Sequence, residues 1–214
     1  MNQLLEQAVA QSKLLVDQAM DIWRDGGWAM GAIAAVSLLM FALAVHIYLR
    51  LRSLGFKSVS EKTWRRWIDH PEQCRGPVGE VIQHVATSSS TDEVSARLDE
   101  VIKTRHAPIR RDLRLMKVFV SAAPLLGLLG TVIGMLTTFG ALASSGGGDE
   151  TQGQIAAGIS EALITTETGL IIALPGLFIH SLLSRQHEAY RAFLAKVESV
   201  CSQRVYRRQR AAGG

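Results

Sequence analysis

The chain has 214 residues, of which 48% are hydrophobic and 20% charged, and 23 Lys and Arg residues outnumber 19 Asp and Glu residues. A soluble domain of this length usually carries more charge, so the apolar excess must be concentrated in particular segments. The composition excludes a single soluble core, an intrinsically disordered chain and a secreted scaffold held by disulfides.

Three segments contain the apolar excess. Residues 26–49 and 118–148 include no charged residue, and residues 156–184 include only Glu161 and Glu167. About 20 apolar residues are enough for a helix to cross a bilayer. We therefore predict an all-α integral membrane protein with three transmembrane helices, at residues 26–49, 118–143 and 158–184.

The distribution of cations predicts the orientation of these helices. Residues 1–25 contain two cations and four anions, whereas residues 50–117 contain fourteen cations and residues 185–210 contain seven. The positive-inside rule then predicts an N-out/C-in topology. Residues 50–117 form a cytoplasmic helical segment, residues 185–214 a cytoplasmic helical tail, and residues 144–157 a periplasmic loop. The basic balance is explained by orientation, so we expect no nucleic-acid partner.

Residues 1–25 lack the basic start and contiguous apolar centre of a cleavable signal. Their apolar residues recur at helical spacing, which predicts a periplasmic amphipathic helix. Cys74 and Cys201 both fall in the predicted cytoplasmic segments, where we expect reduced thiols.

Helix signals continue outside the membrane. Ser90 and Glu93 have the spacing of a capping box, and Pro108 is expected to break the helix that follows, before a new one runs into the second span. Residues 185–210 contain no Gly or Pro, so the third helix should extend far beyond the membrane. Long extensions of this kind need neighbours, which predicts an oligomer.

Small and hydroxylated residues form stripes on the second and third spans. The stripes comprise Gly127, Thr131, Gly134 and Thr138, with Gly130 beside them, and Ala162, Thr166, Gly169, Ala173 and Gly176. Small residues are the usual interface between membrane helices, so tight packing alone is one interpretation of these stripes. Hydroxyls that serve a proton pathway are the other.

Acidic residues in the third span favour the second interpretation. Ionisable groups inside a membrane are costly and usually face a protein interior or a water-filled path. Glu161 lies near the outer end of its span, so a carboxylate that reaches toward the surface also remains open. Glu167 lies deeper, in a run from Thr165 to Thr168 that is polar on every side. Part of this turn must meet another subunit or a lumen.

Two motifs resemble those of the ExbB/TolQ/MotA proton-channel family. The first is Ala123-Pro124-Leu125-Leu126-Gly127-Leu128-Leu129-Gly130-Thr131-Val132-Ile133-Gly134-Met135. The second is Ile159-Ser160-Glu161-Ala162-Leu163-Ile164-Thr165-Thr166-x-x-Gly169-Leu170, followed by Ala173-Leu174-Pro175. The chain length and the three spans resemble ExbB or TolQ more than the four-span MotA.

The resemblance implies a homopentamer in the bacterial inner membrane, with the second and third helices around a central pore. A dimeric partner of the ExbD/TolR type would occupy the pore and supply a proton-carrying Asp. The predicted proton pathway comprises Thr131, Glu161, Thr165, Thr166 and Glu167, and the predicted packing residues are Gly127, Gly130, Gly134, Gly169 and Pro175. At Glu167 the sequence departs from commoner members of the family.

The resemblance to ExbB implies a subunit that couples the proton-motive force to work at the outer membrane, through a TonB-like protein in nutrient import. A TolQ-like role in envelope maintenance with a TolA-like protein, and a structural scaffold, remain alternatives. We expect no enzyme activity, cofactor or metal site. The six histidines lack metal-ligand spacing, and His180 and His187, which share a helix face, are expected to be solvated.

Overall fold

The computed structural model describes residue 23 and residues 26–56, 59–144 and 149–212. Within these ranges the regular secondary structure is entirely helical, as predicted. The amphipathic helix predicted at residues 1–25 lies outside the described residues except for Trp23. Residues 145–148, which include the glycine run of the predicted periplasmic loop, also lie outside them, and residues 149–157 of that predicted loop are helical instead.

Six α-helices follow one another along the described chain. They are α1 (Gly27–Ser53), α2 (Glu61–Asp69), α3 (Gly76–Ala86), α4 (Thr91–Val101), α5 (Ala107–Ser144) and α6 (Asp149–Ala212). A 3-10 turn, Pro71–Gln73, precedes α3, and a π turn, Ile102–His106, joins α4 to α5. Three helical stretches, within Gly27–Ser53, Thr91–Ala143 and Gln152–Ala211, are long and apolar enough to cross a membrane. The predicted number of spans is confirmed on length and composition.

The chain divides into two compact units. Of the described residues, the span unit comprises those up to 41 and those within 118–177, and the extension unit comprises those within 42–117 and those from 178 onward. Helices α1, α5 and α6 each contribute residues to both units.

In the span unit, α5 and α6 approach each other along a seam of small residues. A Cβ placed on Gly127 would lie 2.8 Å from the Thr165 carbonyl oxygen, and one on Gly169 would lie 2.7 Å from that of Ala123. One on Gly134 would lie 2.6 Å from the carbonyl oxygen of Gly158. Glycine is therefore required at these positions because no side chain fits between the two backbones.

The first span packs against the same unit through larger side chains. Met40 is fully buried, and its sulfur lies 2.5 Å from the position of a Cβ on Gly176. Val120 of α5 contacts the same position. A glycine on α6 therefore makes room for a methionine, whose unbranched chain adapts to irregular gaps.

In the extension unit, α6 supplies a continuous buried stripe. Its members are Leu183, His187, Tyr190, Leu194, Val197, Cys201 and Val205, at steps of three and four residues. Aromatic rings cover part of this stripe: the ring centroids of Phe56 and Tyr190 are 5.4 Å apart, and Trp64 meets Phe193 edge to face at 5.8 Å. Burial raises the pKa of the Cys201 thiol to about 11, so this cysteine stays protonated at neutral pH.

The start of α4 is capped as the sequence predicts. The Ser90 hydroxyl accepts a hydrogen bond from the Glu93 backbone N–H at 3.1 Å. The Glu93 carboxylate accepts one from the backbone N–H of Ser89 at 2.7 Å, one residue earlier than in a regular capping box. This hydrogen bond lowers the pKa of Glu93, since it stabilises the ionised form.

The predicted break at Pro108 is wrong. Pro108 lies in the first turn of α5, and the helical path is continuous from Thr91 to Ser144. A proline cannot donate the usual helical hydrogen bond, but the preceding π turn already changes the bonding pattern. There the Ala107 backbone N–H donates to the Ile102 carbonyl, five residues back.

The prediction that His187 is solvated is also wrong. His187 is only 7% exposed and stacks on His106, which is 6% exposed, with the ring centroids 4.0 Å apart. The helical steps along α6 place position 187 on the buried stripe, between Leu183 and Tyr190. Desolvation lowers the pKa of both imidazoles, that of His106 to about 4, and the positive charge of nearby arginines acts in the same direction.

The buried pair predicts a loss of stability in acid. His106 has a lower pKa in the folded chain, about 4, than its ordinary 6.5, so the unfolded chain binds more protons in this range. The free energy of unfolding should therefore fall as the pH drops from about 6.5 to about 4. In unfolding experiments in detergent, His106→Phe, which keeps an aromatic ring, should lose less stability than the wild type between pH 7 and 5. The exposed control His70→Phe should behave as wild type, and equal acid sensitivity of all three proteins would contradict the assignment.

The glycine seam predicts a difference in stability between two glycine-to-alanine variants of α5. Gly127→Ala forces a methyl group against the Thr165 carbonyl, which should lower the free energy of unfolding by about 1 to 3 kcal/mol. Gly140→Ala is the matched control on the same helix, because a Cβ there has no described residue outside its own helix backbone within 4 Å. Thermal unfolding of both variants in detergent measures the difference. If Gly127→Ala is as stable as Gly140→Ala, the seam is not tightly packed.

Candidate functional site

The threonine hydroxyls of α5 bond to their own helix. Thr131 donates to the Leu128 carbonyl at 2.6 Å, Thr137 to that of Ile133 at 3.0 Å, and Thr138 to that of Gly134 at 2.9 Å. A hydroxyl that donates its single proton to the backbone keeps its lone pairs free to accept. Half-buried Thr131 is thus satisfied as a donor and available as an acceptor.

On α6, two adjacent threonines take different positions. Thr165 is fully buried, lies against Gly130, and bonds to the Glu161 and Ala162 carbonyls of its own helix. Thr166 is half-buried, and its hydroxyl donates across the seam to the Gly127 carbonyl at 3.1 Å, with the Ala162 carbonyl of its own helix as a second acceptor at 3.3 Å. The hydrogen bond to Gly127 connects the two predicted pore helices directly.

The seam differs slightly from the stripes read in the sequence. Gly127, Gly134 and Thr138 are buried as the stripe predicts, and Gly130 takes the buried position that the stripe gave to Thr131. On α6 the seam also extends one turn earlier, to Gly158, which meets Thr138. Thr131 therefore lies at the margin of the helix contact, where its hydroxyl is not enclosed by the seam.

Glu161 lies against the start of the first span. Its carboxylate occupies the space that a Cβ on Gly27 would fill, and Gly27 has a positive φ of 59°. The first backbone amides of a helix lack partners within the helix and carry partial positive charge. The start of α1 is therefore a favourable place for this half-buried carboxylate.

Two further predicted residues lie away from the seam. Glu167 is exposed on α6, next to half-buried Thr168, whose hydroxyl bonds to the Ile164 carbonyl at 2.8 Å. Pro175 is also exposed, inside α6. Because proline has no backbone N–H, it leaves a carbonyl one turn earlier without its helical partner.

Sequence reasoning missed Asp112, a buried acid of the extension unit. Its carboxylate lies 3.7 Å from Arg50, 4.0 Å from His46 and 3.9 Å from Arg111. Asp112 is in the basic run before the second span, which was interpreted only by its excess of cations. The position was recognisable from its spacing, because it adjoins Ile109, Leu113 and Met116 on the buried face.

The arrangement in α5 and α6 offers acceptors and donors but few groups that change protonation. Threonine does not ionise at physiological pH, so hydroxyls can solvate a proton carrier without carrying the proton themselves. Residues 156–184 carry three side chains that can titrate, Glu161, Glu167 and His180.

Comparison with known sequences places these helices in a family. The sequence model of the MotA/TolQ/ExbB proton channel family matches residues 74–195. This range covers more than half of the chain. It includes the seam, Thr131 and Thr166, and the two glutamates Glu161 and Glu167.

Relatives across this region are biopolymer transport proteins. An ExbB-like biopolymer transport protein of Synechocystis is 34% identical over 140 residues, which cover 63% of this chain and 50% of the relative. An ExbB homologue of Methanothermobacter thermautotrophicus is 29% identical over 168 residues, which cover 72% and 59%. The biopolymer transport protein ExbB of Pseudomonas putida is 27% identical over 122 residues, which cover 54% and 36%.

The chain thus spans between about a third and three-fifths of the length of these relatives. The part that it shares with them contains the two helices whose glycines and threonines form the seam. Together with three helices able to cross a membrane, this match shows that the chain is a multi-pass membrane protein of the MotA/TolQ/ExbB proton channel family.

Proposed function

We propose that this chain is the channel subunit of a bacterial inner-membrane complex that couples the proton-motive force to work at the outer membrane. The observation that carries the proposal is the Thr166 hydroxyl, which joins α6 to the Gly127 carbonyl of α5 at 3.1 Å. It supports a shared site, because Thr131 lies one helical turn beyond Gly127 on α5, within the region matched by the proton channel family.

Charge supports the proposed orientation. The cations of residues 50–117 and 185–210 favour a cytoplasmic position for the segment 50–117 and the tail 185–214. The segment 1–25 and the connection at 144–157, of which residues 149–157 belong to α6, then face the periplasm, with spans at 26–49, 118–143 and 158–184.

Exposed apolar side chains support an assembly in lipid. On α5 they include Leu125, Leu128, Leu129, Val132, Leu136 and Phe139, and on α6 they include Leu163, Leu170, Ile171, Leu174, Leu177 and Phe178. Such faces are satisfied by lipid or by neighbouring helices. In a homopentamer, part of them would lie between subunits and part would surround helices of a dimeric ExbD/TolR-type partner.

The hydrogen bonds of the threonines suggest how such a pore treats a partner Asp. A protonated Asp donates a hydrogen bond, and the Thr131 oxygen can accept it without losing its own bond to Leu128. An ionised Asp needs a donor, so it must compete with that 2.6 Å bond. A ring of Thr131 side chains, one from each subunit of the pentamer, would therefore favour the neutral acid. The neutral acid moves past apolar walls more easily than the anion.

The remaining predicted residues receive distinct roles in this proposal. Thr165 sets the spacing of the seam, since it is fully buried against Gly130. Glu161 holds the start of the first span beside the outer end of the third. Exposed Glu167 serves as a contact with a neighbouring subunit or as an added group of the proton pathway.

The names of the relatives favour an ExbB-like role in biopolymer transport, with a TonB-like protein as the recipient of the work. A TolQ-like role with a TolA-like protein is the second candidate, because the matching family includes both types. A scaffold without proton conduction is the third, supported by the hydroxyls that bond to their own backbone. The electrical part of the proton-motive force would supply about 2.3 kcal/mol per charge per 100 mV.

Valine substitutions separate conduction from packing. Thr131→Val and Thr166→Val keep the side-chain shape but remove the hydroxyl, so a partner carboxyl group would lose a hydrogen bond worth about 1 to 3 kcal/mol. We expect normal assembly with at least about tenfold lower energy-dependent uptake or envelope integrity in cells that lack the chromosomal copy. The matched control is Thr137→Val, which removes an exposed hydroxyl bonded to its own helix. Wild-type activity of both test variants would leave the scaffold as the better interpretation.

Labelling of single cysteines tests the orientation. In a background of Cys74→Ser and Cys201→Ala, Gln152→Cys and Arg207→Cys place one thiol at an exposed position at each end of α6. An impermeant maleimide should label position 152 in intact spheroplasts and position 207 only after permeabilisation. The reverse pattern would overturn the N-out/C-in topology.

A further inference from the structure

A basic cavity lies at the base of the second and third apolar stretches, within the extension unit. Its volume is about 300 Å³, and it is lined by His106, Arg110, Leu113, Arg114, Lys117, His180, Ser184, His187, Glu188 and Arg191. Four lining residues are permanent cations, and Glu188 is the one acid among them. The cavity is therefore positive and large enough for a small anionic group.

Two buried imidazoles form part of the wall of this cavity. His106 and His187 are each more than nine-tenths buried, and the Nε2 atoms of both have no hydrogen-bond partner among the described residues. Both Nε2 atoms are themselves buried, so the two rings close this side of the cavity, and its cations supply the contacts to an anion.

The arginines of the cavity are close enough to these rings to affect them. Arg110 and Arg191 both lower the pKa of both imidazoles through their positive charge. Both guanidinium groups are carried by exposed residues, so they can turn toward a ligand without leaving a packed core. Guanidinium groups bind phosphate oxygens through paired, charge-assisted hydrogen bonds.

The cavity residues lie next to the ends of two apolar stretches, which indicates what kind of anion they meet. Arg110, Arg114 and Lys117 immediately precede Val118, where the uncharged stretch of the second span begins, and Ser184 ends the third apolar stretch. Lipid headgroups lie at such boundaries between apolar and charged sequence. Basic pockets between membrane helices are suited to anionic headgroups.

We propose that this cavity binds a phosphate-bearing anion through Arg110 and Arg191, with the stacked imidazoles of His106 and His187 as its floor. The ligand is the phosphodiester of an anionic phospholipid headgroup or a free phosphate ion, which share this chemistry. A transition metal fits poorly, because a cation would meet four positive side chains around the two imidazoles. This inference is independent of proton conduction and of the partner protein.

The test uses the full-length protein, stripped of lipid and held in neutral detergent. Separate samples receive phosphatidylglycerol, phosphatidylcholine or inorganic phosphate, and the unfolding temperature is followed as a function of concentration. A ligand that binds the folded chain raises this temperature. We expect a saturable rise with phosphatidylglycerol, with inorganic phosphate or with both, and a smaller rise with phosphatidylcholine, whose choline offsets the phosphate charge.

Variants assign the effect to the cavity. Arg110→Gln combined with Arg191→Gln should weaken binding about tenfold or more, since two charged contacts are lost. The control Lys103→Gln combined with Arg185→Gln removes two charges at exposed positions outside the cavity lining and should bind as wild type. Circular dichroism checks the fold, and Arg191→Gln alone serves if the double variant unfolds.

The ligand arms identify the source of the anion. A rise with phosphatidylglycerol alone assigns the cavity to a lipid headgroup, and a rise with inorganic phosphate shows that the free ion suffices. The proposal is overturned if neither ligand raises the unfolding temperature, if phosphatidylcholine acts as strongly as phosphatidylglycerol, or if the cavity variant binds as tightly as the control.

Discussion

The close approach of two helix backbones at Gly127, Gly134 and Gly169 is the constraint on which the span unit depends. Apolar side chains gain little free energy by moving from lipid into a helix contact. Membrane helices therefore associate through close packing and hydrogen bonds. The glycines supply the contact because nothing separates the backbones. The same proximity lets the Thr166 hydroxyl reach the Gly127 carbonyl, and it leaves Thr131 at the margin of the contact. One seam therefore sets both the distance between the two helices and the positions of these threonines.

Much of this architecture follows from the sequence. Three long apolar stretches, two without charge and one with two glutamates, have few structural solutions, and the number of spans followed from them alone. Small residues at helical spacing identified Gly127, Gly134 and Gly169 as packing positions, because membrane helices approach most closely where side chains are smallest. The cap at Ser90 was also predictable, since the spacing of a hydroxyl and a carboxylate is local chemistry.

Other features could not be predicted, because they depend on which of two adjacent residues is buried or on contacts between distant segments. Gly130 and Thr131 are both small, and spacing alone does not decide which of them is buried. The burial of His187 was missed because its residue type suggested solvent, although its position between Leu183 and Tyr190 indicated the core. Glu161 was assigned to its own span, whereas its contact at Gly27 joins residues far apart in sequence. A single chain read without its neighbours does not reveal such pairings.

The π turn at Ile102–His106 marks a place where the chain can lose one residue without disturbing the packing on either side. Buried positions on either side of it follow steps of three and four residues, Val94, Leu98 and Val101 before it and Ile109, Leu113 and Met116 after it. Between them, the step from Val101 to buried His106 is five residues, which a π turn accommodates as a one-residue insertion in the helix. A deletion of one residue within this turn would restore a four-residue step and keep both apolar faces aligned. A deletion elsewhere in the same run would rotate one face by about 100°. Homologues that differ by one residue here can therefore share the same packing, with a regular helix in place of the wider turn.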